Sequence, residues 1–278
     1  MARSGSSGIA LTLTTLSLLT FAFFSFMGME YLFRGDHRWA IGICLTGLLL
    51  LGVFLYLACW GKTTRNKLKG RFFEALALIF AGVILFWGRT PFSQFFYVVE
   101  HEKEINALVI EAKQQAHDID SLYAKYAHNR LTEYRLYAKR HAKDSQTATQ
   151  LVTSLKRRLF PTAIDSIAAE RSEWMSGLQT VNVWNIATAK NLNEMISASD
   201  EWTKQYATVS QVIYEGEGEG CEPFSLSDND IQSRFDALTK PIAPSPLSNI
   251  VMVACYILIL VYYFQSLRAR SRYQGQRV

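Results

Sequence analysis

Four stretches of the chain, residues 9–33, 39–60, 72–87 and 247–264, are almost free of charge, whereas residues 100–240 are charged throughout. A helix of about 17 to 25 apolar residues spans a hydrocarbon core about 30 Å thick, so the four runs predict four transmembrane helices. Trp39 and Trp60 bracket the second run, where indole rings favour the two headgroup layers. The third run, Phe72 to Trp87, reaches only roughly 24 Å at helical rise. Phe92, Phe95, Phe96 and Tyr97 are therefore expected to extend it as interfacial anchors, with Arg89 snorkelling outward and Pro91 forcing a kink or a restart.

Beyond Val99 the pattern becomes helical and wet. Ile105, Val109, Ala112, Ala116, Ile119, Tyr123 and Tyr126 follow at spacings of 4, 3, 4, 3, 4 and 3, a heptad-like seam, while Glu102, Lys103, Glu104, Lys113 and Asp118 take other faces. The stripe then shifts to Ala127, Leu131, Tyr134 and Ala138, a stutter that lets one helix of about 40 residues run to His141. Asp144 or Ser145 caps a second helix carrying Leu151, Leu155 and Leu159, and Pro161 restarts a third that runs to Gly177. Met195, Ser199, Trp202, Tyr206, Val209 and Ile213 repeat the heptad beat once more. The acid and glycine alternation of residues 215–220 ends it, and Asp230 opens a short helix through Ile231, Phe235 and Leu238. Residues 240–246, KPIAPSP, read as a stiff linker back to the membrane.

The pattern gives an all-α membrane protein: four transmembrane helices with a long-helix bundle inserted between the third and fourth. Its expected domains are a three-helix membrane region at 1–99 with a basic loop at 61–71, a helical head at 100–240, and a linker, last membrane helix and basic tail at 241–278.

Charge supplies the expected orientation. Lys62, Arg65, Lys67, Lys69 and Arg71 form a strip without an acid, and Arg268, Arg270, Arg272 and Arg277 do the same after the last apolar run. The positive-inside rule assigns both to the cytoplasm and the head to the opposite side. The head has 16 Lys or Arg against 21 Asp or Glu over residues 92–246, which accords with that exclusion. Strip and tail are also expected to attract anionic lipid headgroups. Two carboxylates lie in or beside apolar runs: Glu74 one turn from Arg71, and Glu30 one turn from Arg34, each expected to pair with that arginine. Thr12, Thr14, Thr15 and Ser17 give the first helix a polar flank, for its own carbonyls or for other helices.

Candidate chemistry changes the picture little. Cys44, Cys59 and Cys255 fall in membrane runs, which leaves Cys221 alone in the head with no partner for a disulfide. His101, His117, His128 and His141 lack ligand spacing, and neither residues 215–220 nor 227–230 carries the calcium-loop order. No nucleophile elbow, phosphate loop or dinucleotide fingerprint is present, so no catalytic residue, metal or cofactor is expected. A head placed outside is not expected to meet nucleic acid, even at Lys156 to Pro161, its most basic stretch. Trp174, Trp184 and Trp202 either fill the bundle core or anchor a partner. The expectation is a non-catalytic integral membrane subunit of a larger envelope complex, in a bacterial inner membrane, that binds, scaffolds or relays signals through its head. Its partners would be other membrane or envelope proteins, with homo-oligomerisation open. The rival is a transporter or channel subunit built around Glu74.

Overall fold

A computed structural model describes residues 3–63, 67–176, 182–214, 222–226, 230–240 and 244–274. Every regular element among them is an α-helix: α1 (Arg3–Leu32), α2 (His37–Thr63), α3 (Lys67–Trp87), α4 (Arg89–Glu100), α5 (Glu102–His141), α6 (Ser145–Leu159), α7 (Thr162–Ser176), α8 (Thr188–Tyr214), α9 (Ile231–Thr239) and α10 (Pro246–Gln274). Four stretches are long and apolar enough to cross a membrane, Gly8–Leu32, His37–Lys62, Leu68–Glu100 and Pro246–Ser266, which marks a multi-pass membrane protein. Their outer faces agree: Leu49, Ile79 and Phe86 are 69%, 63% and 67% exposed, an arrangement that only lipid or another apolar surface satisfies.

The chain divides into two compact units. One comprises Met1–Glu102, Val183–Lys190 and Asp236–Val278; the other comprises Lys103–Asn182 and Asn191–Phe235. Residues 183–190 and 236–240, assigned to the head from sequence, therefore group with the membrane helices. Trp184 sits edge-on to Phe95 with ring centroids 5.2 Å apart, and the Gln94 amide donates to the Leu238 carbonyl.

In the first unit glycines set the approaches. Gly35, at φ 84°, closes the turn between α1 and α2, and a Cβ there would meet the Lys190 Cα at 2.2 Å. At Gly61 a Cβ would lie 2.8 Å from the Gly70 carbonyl oxygen, so α2 and α3 cross at van der Waals distance. The expected basic loop at 61–71 is consequently much shorter, because residues 61–63 finish α2 and 67–71 begin α3. The third membrane stretch is correspondingly longer than its apolar core suggests. Its break falls at Gly88, where the Phe92 N–H still bonds the Gly88 carbonyl at 3.2 Å although Pro91 has no N–H to give.

Phe92 and Phe95 are not interfacial anchors. They are 0% and 1% exposed and stack against Phe21 and Phe24 of α1, each with centroids 5.5 Å apart. The anchor expectation failed because α4 lies along α1: a Cβ on Gly28 would stand 1.7 Å from the Pro91 carbonyl oxygen. On the same helix Thr12 and Thr15 bond their own carbonyls at Gly8 and Leu11, at 3.0 and 2.9 Å, while Thr14 reaches α10 and bonds the Leu258 carbonyl at 3.2 Å.

The second unit is built on α5, a single helix of 40 residues. Ile105, Val109, Ala112, Ala116, Ile119, Tyr123, Ala127 and Ala138 are buried, and Leu108 joins them. The buried stripe thus follows the heptad beat to Tyr123; past the stutter Ala127 and Ala138 are buried, while Tyr126, Leu131 and Tyr134 are half-buried against the core. Asp144 caps α6 by accepting from the Thr147 N–H at 2.6 Å, and that bond holds its carboxyl below the usual carboxylate range. Leu155 and Leu159 of α6 are buried, but Leu151 faces out. The core joins Tyr123, Leu155, Leu159, Tyr206 of α8 and Phe224. Tyr123 and Tyr206 stack at 4.4 Å, with Phe224 edge-on to both. Residues 222–226 earn this place through two bonds, Phe224 N–H to the Ser210 hydroxyl and the Tyr126 hydroxyl to the Glu222 carbonyl, both 2.9 Å.

Candidate functional site

In the head, three helices converge on one arginine. Arg171 of α7 is 3% exposed and forms an ion pair with Asp120 of α5, whose carboxylate also accepts from the Tyr206 hydroxyl of α8. The guanidinium lies over the Trp202 ring at 5.1 Å, and Trp174, one turn along α7, meets Trp202 edge-on at 5.9 Å. Arg171 Nη1 is buried without a hydrogen-bond partner, and the residue lines a cavity of about 180 Å³ with Ala116, Asp120, Ala168 and Met175. An unpaired buried donor is costly, and a carbonyl or carboxylate oxygen entering the cavity would satisfy it.

Two of the three expected tryptophan anchors, Trp174 and Trp202, therefore come together, both half-buried. Trp184 does not join them; it belongs to the membrane unit and is 51% exposed. Asp120 and Arg171 were not singled out from sequence, and Tyr206 was read there only as a position of the heptad stripe. Their one local signal was the spacing that places Arg171 below Trp174 and Trp202 below Tyr206 on adjoining helices. Beside this cluster burial pushes the Tyr123 hydroxyl well above the ordinary tyrosine range, with the neighbouring Tyr126 and Tyr206 adding to the shift. That hydroxyl donates to the Leu159 carbonyl at 2.9 Å.

The basic strip separates into two kinds of residue. Lys62 is not on the surface: it is 3% exposed, donates to the Tyr263 carbonyl at 2.6 Å and the Ser266 hydroxyl at 3.1 Å, and rests 3.0 Å above the Tyr263 ring. It turns to the α10 backbone at Tyr263, well inside that helix, rather than to a headgroup. Lys69 and Arg71 are exposed on the first turns of α3, as a headgroup contact requires. Lys67 begins α3, and Arg268, Arg270 and Arg272 lie within α10. Arg65, Gly177, Cys221, Arg277, the loop 215–220, residues 227–229 and the linker residues 241–243 fall outside the described residues.

Neither carboxylate of the apolar runs takes its expected arginine. Glu74 accepts from the Tyr263 hydroxyl at 2.5 Å, and Glu30, 1% exposed, lies 2.5 Å from His37 Nδ1. Arg34 instead pairs with Asp236 at 2.7 Å. The remaining oxygen of Glu30, Oε1, is buried without a partner. Among the described residues no three His, Cys, Asp or Glu side chains gather as a metal site would require. Scanned against protein-family models, curated proteins and solved structures, the chain matches none.

Proposed function

We propose that the protein is a non-catalytic membrane subunit whose helical head docks a partner of the cell envelope, with Trp174, Trp202 and Arg171 as the anchor. The observation that carries the reading is the Arg171 cluster. Tryptophan, tyrosine and arginine in a well-packed, desolvated group are the residue types that dominate binding energy at interfaces. Here one guanidinium nitrogen is held without a partner beside a half-buried indole. The length of α5 supports a relaying role: its 40 residues reach about 60 Å. The exposed Lys69 and Arg71 support a cytoplasmic placement of the α2–α3 turn, and hence a head on the other side.

Crosslinking of intact membranes followed by mass spectrometry tests the docking. The wild-type head is expected to yield crosslinks to another membrane or envelope protein, and Trp174→Ala to lose most of them while retaining its helical content. Crosslinks to copies of the chain alone, or an unchanged pattern in the variant, would overturn the proposal. Membrane-impermeant maleimide at Ser145→Cys tests the address separately: protection in intact cells would put the head in the cytosol.

A further inference from the structure

Between α1, α2 and the end of α3 runs an apolar groove of about 890 Å³. Its wall on α2 follows one helical face through Trp39, Gly42, Ile43, Gly47 and Leu50. From Arg38 to Leu51 that wall rises about 20 Å, somewhat more than one leaflet's share of a hydrocarbon core about 30 Å thick. Glycine makes the depth. A Cβ on Gly42 or Gly47 would meet nothing within 4 Å, so neither is there for helix packing, and a side chain at either would fill the groove.

Two polar features stand at one end. Arg38 is the one charged residue lining the groove; it is exposed, and among the described residues its guanidinium has no ion pair. The neighbouring Asp36 carboxylate instead accepts from the Arg38 backbone N–H at 3.1 Å. Ser25 of α1 lines the groove as well, is 4% exposed, and its hydroxyl has no hydrogen-bond partner. A helical serine can bond the carbonyl one turn back, and this one does not, which leaves its hydroxyl an unmet donor. The bond from the Cys44 thiol to the Ala22 carbonyl sets the register of α1 on α2 and places Ser25 about one turn deeper than Arg38. Trp39, 63% exposed, flanks the same end as an interfacial indole does.

We infer that this groove is a binding site for one anionic phospholipid of the leaflet at the Arg38 end. An acyl chain lies along Gly42 and Gly47, the Ser25 hydroxyl donates to an ester carbonyl, and Arg38 meets the phosphate. Charge and depth favour this occupant over an apolar helix, which would leave Ser25 and Arg38 unanswered. The site is separate from the head and from the basic strip, and it stands whether or not the head docks a partner.

The test uses the full chain in nanodiscs, with phosphatidylglycerol or phosphatidylcholine brominated on the acyl chain as quenchers of tryptophan fluorescence. In the wild type, quenching is expected to reach half its limit at about fivefold less phosphatidylglycerol than phosphatidylcholine, the preference one arginine near a headgroup confers. Arg38→Gln is expected to abolish that preference. Gly47→Leu is expected to remove the high-affinity phase for both lipids, with thermal unfolding showing the fold intact. Equal curves for the two lipids in the wild type would overturn the inference, as would a Gly47→Leu protein that quenches like the wild type. A Gly47→Leu change that instead abolishes self-association, with no lipid preference in the wild type, would assign the groove to a second copy of the chain and equally overturn it.

Discussion

The Tyr263 hydroxyl donates to Glu74 Oε1 at 2.5 Å, joining the last membrane helix to the start of the third. Lys62 covers the face of the same ring and bonds the α10 backbone, so one tyrosine gathers a cation and an anion from α2 and α3. Opposite charges that share a ring at the end of a helix bundle are a tie between three helices, and Glu74 needs no solute to explain its place. Tyr263→Phe is expected to lower stability by about 1 kcal/mol, the scale of hydrogen bonds between membrane helices. Lys62→Met should cost more, because it leaves Glu74 without its neighbouring cation. Unfolding in mixed micelles reads both, and Glu74→Gln in flux assays with proteoliposomes is expected to change nothing.

Close backbone approach leaves no room for a side chain at Gly28 of α1. Its missing Cβ is the space into which the Pro91 carbonyl of α4 fits, and the aromatic stack of Phe21, Phe24, Phe92 and Phe95 depends on that spacing. Gly28→Ala is expected to destabilise by at least the 1–3 kcal/mol or so of ordinary overpacking, since backbone rather than a flexible side chain must move. Gly42→Ala, on the open face of α2, is expected to leave stability unchanged or slightly raised. Comparing the two by thermal unfolding separates packing from helix propensity.

At the head, Asp144→Ala should fray the first turn of α6. The Thr147 amide loses its acceptor, so hydrogen exchange there is expected to accelerate, while Asp144→Asn, which keeps an acceptor oxygen, should preserve most protection. The charge of the cap gives this turn an acid limit. Because its folded carboxyl is held below the ordinary value of about 3.9, the contribution is present above that value and fades as pH falls through the folded one.

Residues that report on their own neighbours in sequence were legible; residues whose partners lie far along the chain were not. The α5 seam could be read from spacing alone, since a helix of heptads buries whatever recurs on one face. Asp144 was readable for the same reason, its partner being three residues away. Glu30 and Glu74 each had an arginine one turn off, the local answer, but the structure pairs Glu30 with His37 across a turn and Glu74 with Tyr263 at a separation of 189 residues. Lys62 shared its composition with the strip around it, and what sets it apart is a bond to Tyr263, 201 residues away. The Asp120, Arg171 and Tyr206 group escaped because three separate helices supply it, and Phe224 because an irregular segment has no period to betray a core residue.

Tyr123 gives the head a distinct alkaline limit. Its hydroxyl is buried among Tyr206, Phe224 and Leu159, donates to the Leu159 carbonyl at 2.9 Å, and is pushed up by that burial. In the unfolded chain a tyrosine ionises near pH 10, whereas in the fold it stays protonated well beyond. The stabilisation is therefore fully present below about pH 10 and falls as pH rises further, because the unfolded state gains by releasing a proton the folded state keeps. Urea unfolding of the full chain, followed by the near-ultraviolet signal of the tyrosines between pH 8 and 11, is expected to show a level midpoint and then a decline. Tyr123→Phe should lower the midpoint at pH 8 by the loss of one hydrogen bond, about 1 kcal/mol, and make the decline above pH 10 shallower. A variant that declines as steeply as the wild type would show that this hydroxyl does not set the limit.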